Sequence, residues 1–311
     1  MCTCDSPDYE TAGEAEAVLA RTVPAWAPNG PKSRSYAKSR RERLTAARGA
    51  LFDVCSEMEV GMTVLRAIPR ASALASSTSL FEVTALTKRY RDELALGDVS
   101  FDVHAGEVLG LIGPNGAGKT TLLEAIAGVL PADAGSIRWR GAPLPSARRR
   151  DFMFYLPDGL RPWDDQYTGR VIDFSAAGHR RRASEVVGVI GSVGLWPVLG
   201  KRVSALSKGY VRRLMLALAL IAPHPLLLMD EPFDGFDLRQ TREMMRLIRG
   251  MAAGGRTLVL AIHQLADAER VCDRFVLLAD GRVRGSGTLD HLRTRTALPS
   301  AGLEDVFLAL T

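Results

Sequence analysis

The chain has 311 residues, 47% hydrophobic and 24% charged, enough for about two domains of ordinary globular composition. Its net charge of +5 comes from 40 basic and 35 acidic residues, too even a balance to make nucleic acid the first expected partner. The longest uninterrupted apolar run, Leu214 to Ala222, is far shorter than the ~18 to 20 residues needed to cross a bilayer, so no membrane span is expected.

Residues 1–79 differ from the rest. The acids Asp5, Asp8, Glu10, Glu14 and Glu16 give way to Arg21, Lys32, Arg34, Lys38, Arg40, Arg41, Arg43 and Arg48, interleaved with Pro24, Pro28 and Pro31. Such charge blocks cannot bury enough apolar surface to order themselves, so a disordered extension is expected, with room for short helices near 12–20 and 39–58. Translation from Met58 or Met62 is the alternative account of this segment. The first residues lack the basic flank and apolar stretch of a secretion signal, which predicts a cytosolic chain. Cys2, Cys4, Cys55 and Cys272 are too few and scattered for a disulfide framework, and Cys2-x-Cys4 lacks the two further ligands of a structural zinc site.

From Leu80 onward, short apolar runs alternate with helical patterns, the cadence of a parallel sheet. Expected strands are Leu80–Leu86, Val99–Val103, Val108–Ile112, Phe152–Leu156, Leu226–Met229, Leu258–Ile262 and Phe275–Ala279. Those at Val108, Leu226 and Leu258 are continuously apolar, as central strands covered on both faces should be. Between Pro157 and Ala205 strand patterns give way to Gly, Arg and helix formers, which predicts a helical arm over about 157–205 inserted in the sheet domain.

The strongest chemical signal follows the strand at Val108. Gly113, Pro114, Asn115, Gly116, Ala117, Gly118, Lys119, Thr120 and Thr121 form a P-loop in its required context of strand, loop and helix. Glycines let successive backbone N–H groups point inward, and with the helix N-terminus they form a cradle for phosphates. Lys119 would neutralise the β- and γ-phosphates, and the Thr120 hydroxyl would ligand Mg²⁺.

Leu226 to Met229 runs into Asp230 and Glu231. An acid at the carboxyl end of a buried parallel strand sits where open α/β sheets bind ligands. Asp230 is expected to hold Mg²⁺ through its water shell, and Glu231 to polarise the water that attacks the γ-phosphate. Ser207, ahead of apolar residues at helical spacing (Val211, Leu214, Leu218, Ile221), is a natural N-cap. The same helix N-terminus, with Gly209, could face a phosphate from another subunit. His263 ends the strand at Leu258, where a parallel sheet would bring it beside Glu231.

Together these residues resemble the ATP-binding subunits of ABC (ATP-binding cassette) transporters, over essentially all of Leu80 to Thr311, in the order P-loop, signature, acidic strand and switch histidine. The resemblance implies an α/β P-loop NTPase, RecA-like, with a mainly parallel sheet core, an antiparallel β edge and an inserted helical subdomain. It implies Tyr90 stacked on adenine, catalytic roles for Glu231 and His263, and Asp237 at a dimer-crossing loop. It also implies ATP and Mg²⁺ as ligands, a homodimer or a heterodimer with a paralogue, and integral-membrane permease subunits as partners. The subunit would then lie on the cytoplasmic face of the cell membrane, and the closing Leu303 to Leu310 resembles the exporter-like branch whose permeases are separate chains.

The chain departs from the family pattern at named places. Lys208 and Tyr210 replace the usual signature residues beside Ser207 and Gly209; Asp158 stands where Gln or Glu is expected; Phe236 replaces Leu. At Asp158 the shorter side chain would reach Mg²⁺ only through water. Trp163, Tyr167 and the following arm would face the permease. A soluble cassette ATPase acting on ribosomes or DNA is the competing reading; relatives of that kind carry two cassettes or a long coiled coil, and this chain has one P-loop and about 85 residues between Thr121 and Ser207. A P-loop GTPase would need an Asn-Lys-x-Asp stretch, which is absent.

Overall fold

A computed structural model describes residues 79–311. The charge-blocked segment, with Cys2, Cys4, Cys55 and the alternative starts Met58 and Met62, lies outside the described residues. The described chain falls into two compact units: Arg161–Ala222, and the residues up to Leu160 together with Pro223–Thr311.

The second unit opens with β1 (Phe81–Tyr90), β2 (Glu93–Val103) and β3 (Val108–Ile112), followed by α1 (Lys119–Ala127), β4 (Ala134–Trp139), β5 (Ala142–Pro143), α2 (Ser146–Arg149) and β6 (Met153–Leu156). The helical unit follows, with α3 (Thr168–Gly178), α4 (Ala183–Val193) and α5 (Lys208–Ile221). The chain then returns to the second unit with β7 (Leu226–Asp230), α6 (Leu238–Ala253), β8 (Thr257–Ile262), α7 (Leu265–Val271), β9 (Arg274–Ala279), β10 (Arg282–Gly287), α8 (Leu289–Thr296) and α9 (Leu303–Leu310).

Two sheets build the larger unit. One has six strands in the order β10-β9-β3-β8-β7-β6, parallel except for β10; the other is antiparallel, in the order β2-β1-β4-β5. The three predominantly apolar strands β3, β8 and β7 lie together inside the six-stranded sheet and every residue in them is buried. One core joins both sheets to α1, with Phe81, Leu96, Leu111, Leu122, Ile126, Leu228 and Val276 in it. Each fully buried side chain of this kind contributes ~1.5–3 kcal/mol. On α6 the buried residues Thr241, Met244, Met245, Ile248, Met251 and Ala252 recur at helical spacing and give it a single inward face.

Two polar anchors stiffen the scaffold around α1. Arg149, buried at the end of α2, donates to the carbonyls of Ala125 and Ile126 and so satisfies the C-terminal end of α1. Arg274, opening β9, donates to Asp102 Oδ2 at 3.2 Å and Glu107 Oε1 at 3.1 Å and ties the end of β2 to the start of β3.

The helical unit includes α5, which the expected arm of about 157–205 left out. The reason is packing: α5 buries Leu214, Met215, Ala217 and Ile221 among others and packs against α3 and α4. It begins at Lys208, three residues before the apolar periodicity becomes visible, because Ser207 caps it.

Candidate functional site

The sheet register sets the site. Ile112 at the end of β3 is paired with Ile262 at the end of β8, and Asp230 at the end of β7 is paired with Ala261. The residues that follow, Gly113, His263 and Glu231, therefore leave the sheet from one edge, at the carboxyl ends of three adjacent strands.

From Gly113 the chain makes the P-loop and turns into α1. Gly118 is the N-cap of α1 at φ 97°, a left-handed conformation that glycine adopts without strain. A side chain there would also collide with the backbone, since an added Cβ would lie 2.7 Å from the Ala95 carbonyl oxygen. Lys119 is buried, and its ammonium donates to the carbonyl oxygens of Gly113 at 2.8 Å and Pro114 at 3.1 Å. Burial pushes its pKa down, while the carboxylates of Glu231 and Asp230 pull it back up.

Thr120 Oγ1 donates to Asp230 Oδ2 at 2.6 Å, so the first turn of α1 is joined to the tip of β7. Asp230 is 1% exposed. Glu231, next in the chain, sits at φ 47°, uncommon for a residue with a side chain, and its amide donates to the Ala261 carbonyl at 3.0 Å. Its Oε2 is 2.7 Å from His263 Nδ1. Burial raises the Glu231 pKa; the His263 hydrogen bond and charge and the Lys119 charge oppose that, and Asp230 adds to it. A carboxylate partly withdrawn from water and held beside an imidazole is a group that could accept a proton from a bound water.

The other expected residues are placed more loosely. Tyr90 ends β1, is 46% exposed, and lies with its ring centroid 5.7 Å from Lys88 Nζ. Asp158 is exposed in the turn after β6. Nearby Tyr155, which pattern reading passed over as strand, buries its hydroxyl, and its pKa is pushed up by burial and by Asp230, Glu124 and Asp158. In the helical unit, Ser207 caps α5 by accepting from the Tyr210 amide at 3.4 Å; Ser207 and Lys208 are exposed and Gly209 and Tyr210 partly so. Asp237 caps α6, accepting from the Gln240 amide at 2.8 Å in a reciprocal capping box.

A family model described as ABC transporter matches residues 96–234. Nod factor export ATP-binding protein I of Burkholderia thailandensis is 38% identical over 210 residues, covering 64% of this chain and 68% of the relative. The protein of the same name from Rhizobium meliloti is 34% identical over 241 residues, covering 74% and 69%. Among solved structures, one titled "Structure of ATP binding subunit of ABC transporter" is 31% identical with a TM-score of 0.69, covering 75% of this chain and 99% of that one. The chain belongs to the ABC transporter ATP-binding family. A nucleotide-free ATP-binding cassette from an ABC transporter, 17% identical with a TM-score of 0.63 and coverage of 74% and 98%, shares the fold.

As an ABC ATP-binding subunit the chain binds and hydrolyses ATP. Among the described residues, no helix is long and apolar enough to cross a membrane. The P-loop, acidic strand and histidine of this ABC subunit all lie in its larger unit, whereas Ser207 to Tyr210 lie in its helical unit.

Proposed function

We propose that the subunit works in pairs, as a homodimer or with a paralogue, and drives a separately encoded membrane permease in the direction of export from the cytoplasmic face of the membrane. The relatives named for Nod factor export support the direction; the substrate would be chosen by the permease. In this reading the amides from Gly113 to Gly118, with Lys119, Thr120 and Thr121, hold the phosphates, and Tyr90 stacks on adenine. Ser207, Lys208, Gly209 and Tyr210 face the ATP held by a partner subunit, and Asp237 lies at the dimer loop.

The donors at Thr120 and Asp230 are a hydroxyl and a carboxylate that meet at 2.6 Å, the hard-oxygen pair that suits Mg²⁺, which takes few protein ligands beside phosphate and water. When bound there, Mg²⁺ offsets phosphate charge; Asp158 would approach it only through water. Glu231 accepts the proton of the attacking water, and His263 orients the Glu231 carboxylate and contacts the γ-phosphate. Loss of the γ-phosphate removes the charge that both subunits grip and reopens the pair.

The 2.7 Å contact between Glu231 and His263 beside the P-loop is the observation that carries this reading. Its test is Glu231→Gln, assayed for ATP turnover, ATP binding and association state. Turnover should be lost while ATP is still bound and the protein is held as a pair. Hydrolysis at the wild-type rate would reject the role of Glu231, and a monomer at saturating ATP would reject the pairing.

A further inference from the structure

The P-loop is supported from behind by a turn nearly 170 residues away in the chain. The carbonyl oxygen of Ala95 in β2 is the nearest neighbour of two glycines: a Cβ added to Gly118 would lie 2.7 Å from it, and one added to Gly281 would lie 2.5 Å from it. Gly281 is the second residue of the two-residue turn between β9 and β10, with Asp280 at φ 50°, Gly281 at φ 69° and Ala279 paired to Arg282. Positive φ at both positions is the geometry that suits tight hairpins. The Gly281 amide donates to the carbonyl of Ala117, inside the P-loop, at 3.3 Å, and the Gly281 carbonyl accepts from the Gly97 amide of β2 at 2.8 Å. The first glycine of the loop is wedged on the same hairpin, since a Cβ on Gly113 would lie 2.2 Å from the Leu278 carbonyl oxygen.

We infer that Gly281 is a positioning residue for nucleotide binding: its backbone bridges β2 to the P-loop and sets where the loop amides point. This rests on the reading of Gly113 to Thr121 as the phosphate site. The contacts involve backbone on both sides, so neither partner can rotate away as a side chain would. A Cβ at Gly281 must move either Ala95, against which Gly118 is also packed, or the turn that holds Ala117. Binding constellations work only when held within about 0.5 Å of their productive geometry.

The molecule contains its own control. Arg140 and Gly141, at φ 49° and 77°, form the equivalent two-residue turn between β4 and β5, where Trp139 pairs with Ala142, and a Cβ on Gly141 would meet nothing within 4 Å. Alanine at Gly141 therefore carries the left-handed backbone penalty without a collision.

The experiment compares the full-length chain with Gly281→Ala, Gly141→Ala and Lys119→Ala, measuring thermal midpoint and the dissociation constant of a non-hydrolysable ATP analogue with Mg²⁺. Gly281→Ala should weaken nucleotide binding by roughly tenfold or more, the loss expected when one loop amide no longer reaches a charged phosphate oxygen, whereas Gly141→Ala should lower the midpoint yet bind as wild type does. Binding by Gly281→Ala within twofold of wild type, or equal weakening in Gly141→Ala, would overturn the inference. Unchanged binding in Lys119→Ala would instead overturn the phosphate-site reading beneath it. Should Gly281→Ala not fold, amide exchange in the wild-type chain decides: the analogue should slow exchange at Gly97 and Gly281 and leave Gly141 unaffected. No slowing at Gly97 and Gly281 would count against the inference.

Discussion

Thr120 and Asp230, 110 residues apart in the chain, are joined by a 2.6 Å hydrogen bond between the first turn of α1 and the tip of β7. The bond fixes the height of the P-loop helix against the central strands, and its acceptor is almost wholly shielded from water. Thr120→Ala removes the donor and should cost about 1.5–3 kcal/mol in urea unfolding, the range for a hydrogen bond to a charged group. Thr120→Ser keeps the hydroxyl and should recover most of that loss. The alanine variant should also need more Mg²⁺ for half-maximal ATPase; an unchanged Mg²⁺ requirement would remove Thr120 from the metal site.

Glu231 makes stability depend on pH with a defined sign. Burial, the largest cause, raises its folded pKa above the ordinary 4.5. The folded state then binds the proton more readily than the unfolded chain, so the carboxyl's stabilising contribution is fully present below 4.5 and is lost as pH rises through the folded value. Glu231→Gln cannot acquire the charge. Its melting temperature should therefore exceed that of wild type at pH 7.5, and the gap should close on acidification toward 4.5. A variant less stable than wild type at neutral pH would show that the His263 contact outweighs burial.

Much of this arrangement was legible in the sequence because burial on both faces leaves a direct trace. In β3, β7 and β8 every residue is buried, and the residues are apolar apart from Thr257, Gly110 and Asp230, so these strands announce themselves. Once they are parallel neighbours, the approach of His263 to Glu231 follows from register. The missed strands have no such trace. In β4 only Ile137 is buried, and in β10 only Gly285, so each exists because a partner strand, β1 or β9, supplies the hydrogen bonds. For β10 a signal was present in the Asp280-Gly281 pair directly after the expected strand Phe275–Ala279. The role of Arg149 at the end of α1 depends on how α2 packs, and nothing local distinguishes it from its exposed neighbours Arg148 and Arg150.

Asp237 has a local duty that must be separated from any duty at a dimer loop. Its side chain accepts from the Gln240 amide at 2.8 Å and starts α6. Asp237→Ala should cost ~1 kcal/mol, while Asp237→Asn, an equally good cap, should unfold within a few tenths of wild type. If the asparagine variant keeps its stability and loses ATP-dependent association, the carboxylate acts at the subunit contact. If association also survives, Asp237 is a helix cap and the dimer-loop assignment fails.

Arg274 is where the two sheets are held in electrostatic register. Its guanidinium reaches Asp102 and Glu107, the latter 9% exposed in its side chain, and the His104 amide donates to Glu107 Oε1 at 2.7 Å. Burial raises the Glu107 pKa, opposed by the His104 amide bond and by the Arg274 charge. Arg274→Ala leaves a nearly buried carboxylate without its cation, and breaking such a pair costs about 3 kcal/mol even where the intact pair adds little. Adding Glu107→Gln to that variant removes the stranded charge and should restore part of the loss, whereas Glu107→Gln alone should cost less than Arg274→Ala. Urea midpoints of the three variants form a double-mutant cycle. A coupling energy near zero would mean that the Arg274–Glu107 pair has no part in the junction, and Arg274 would then hold β2 and β9 together through Asp102 and its packed alkyl stem.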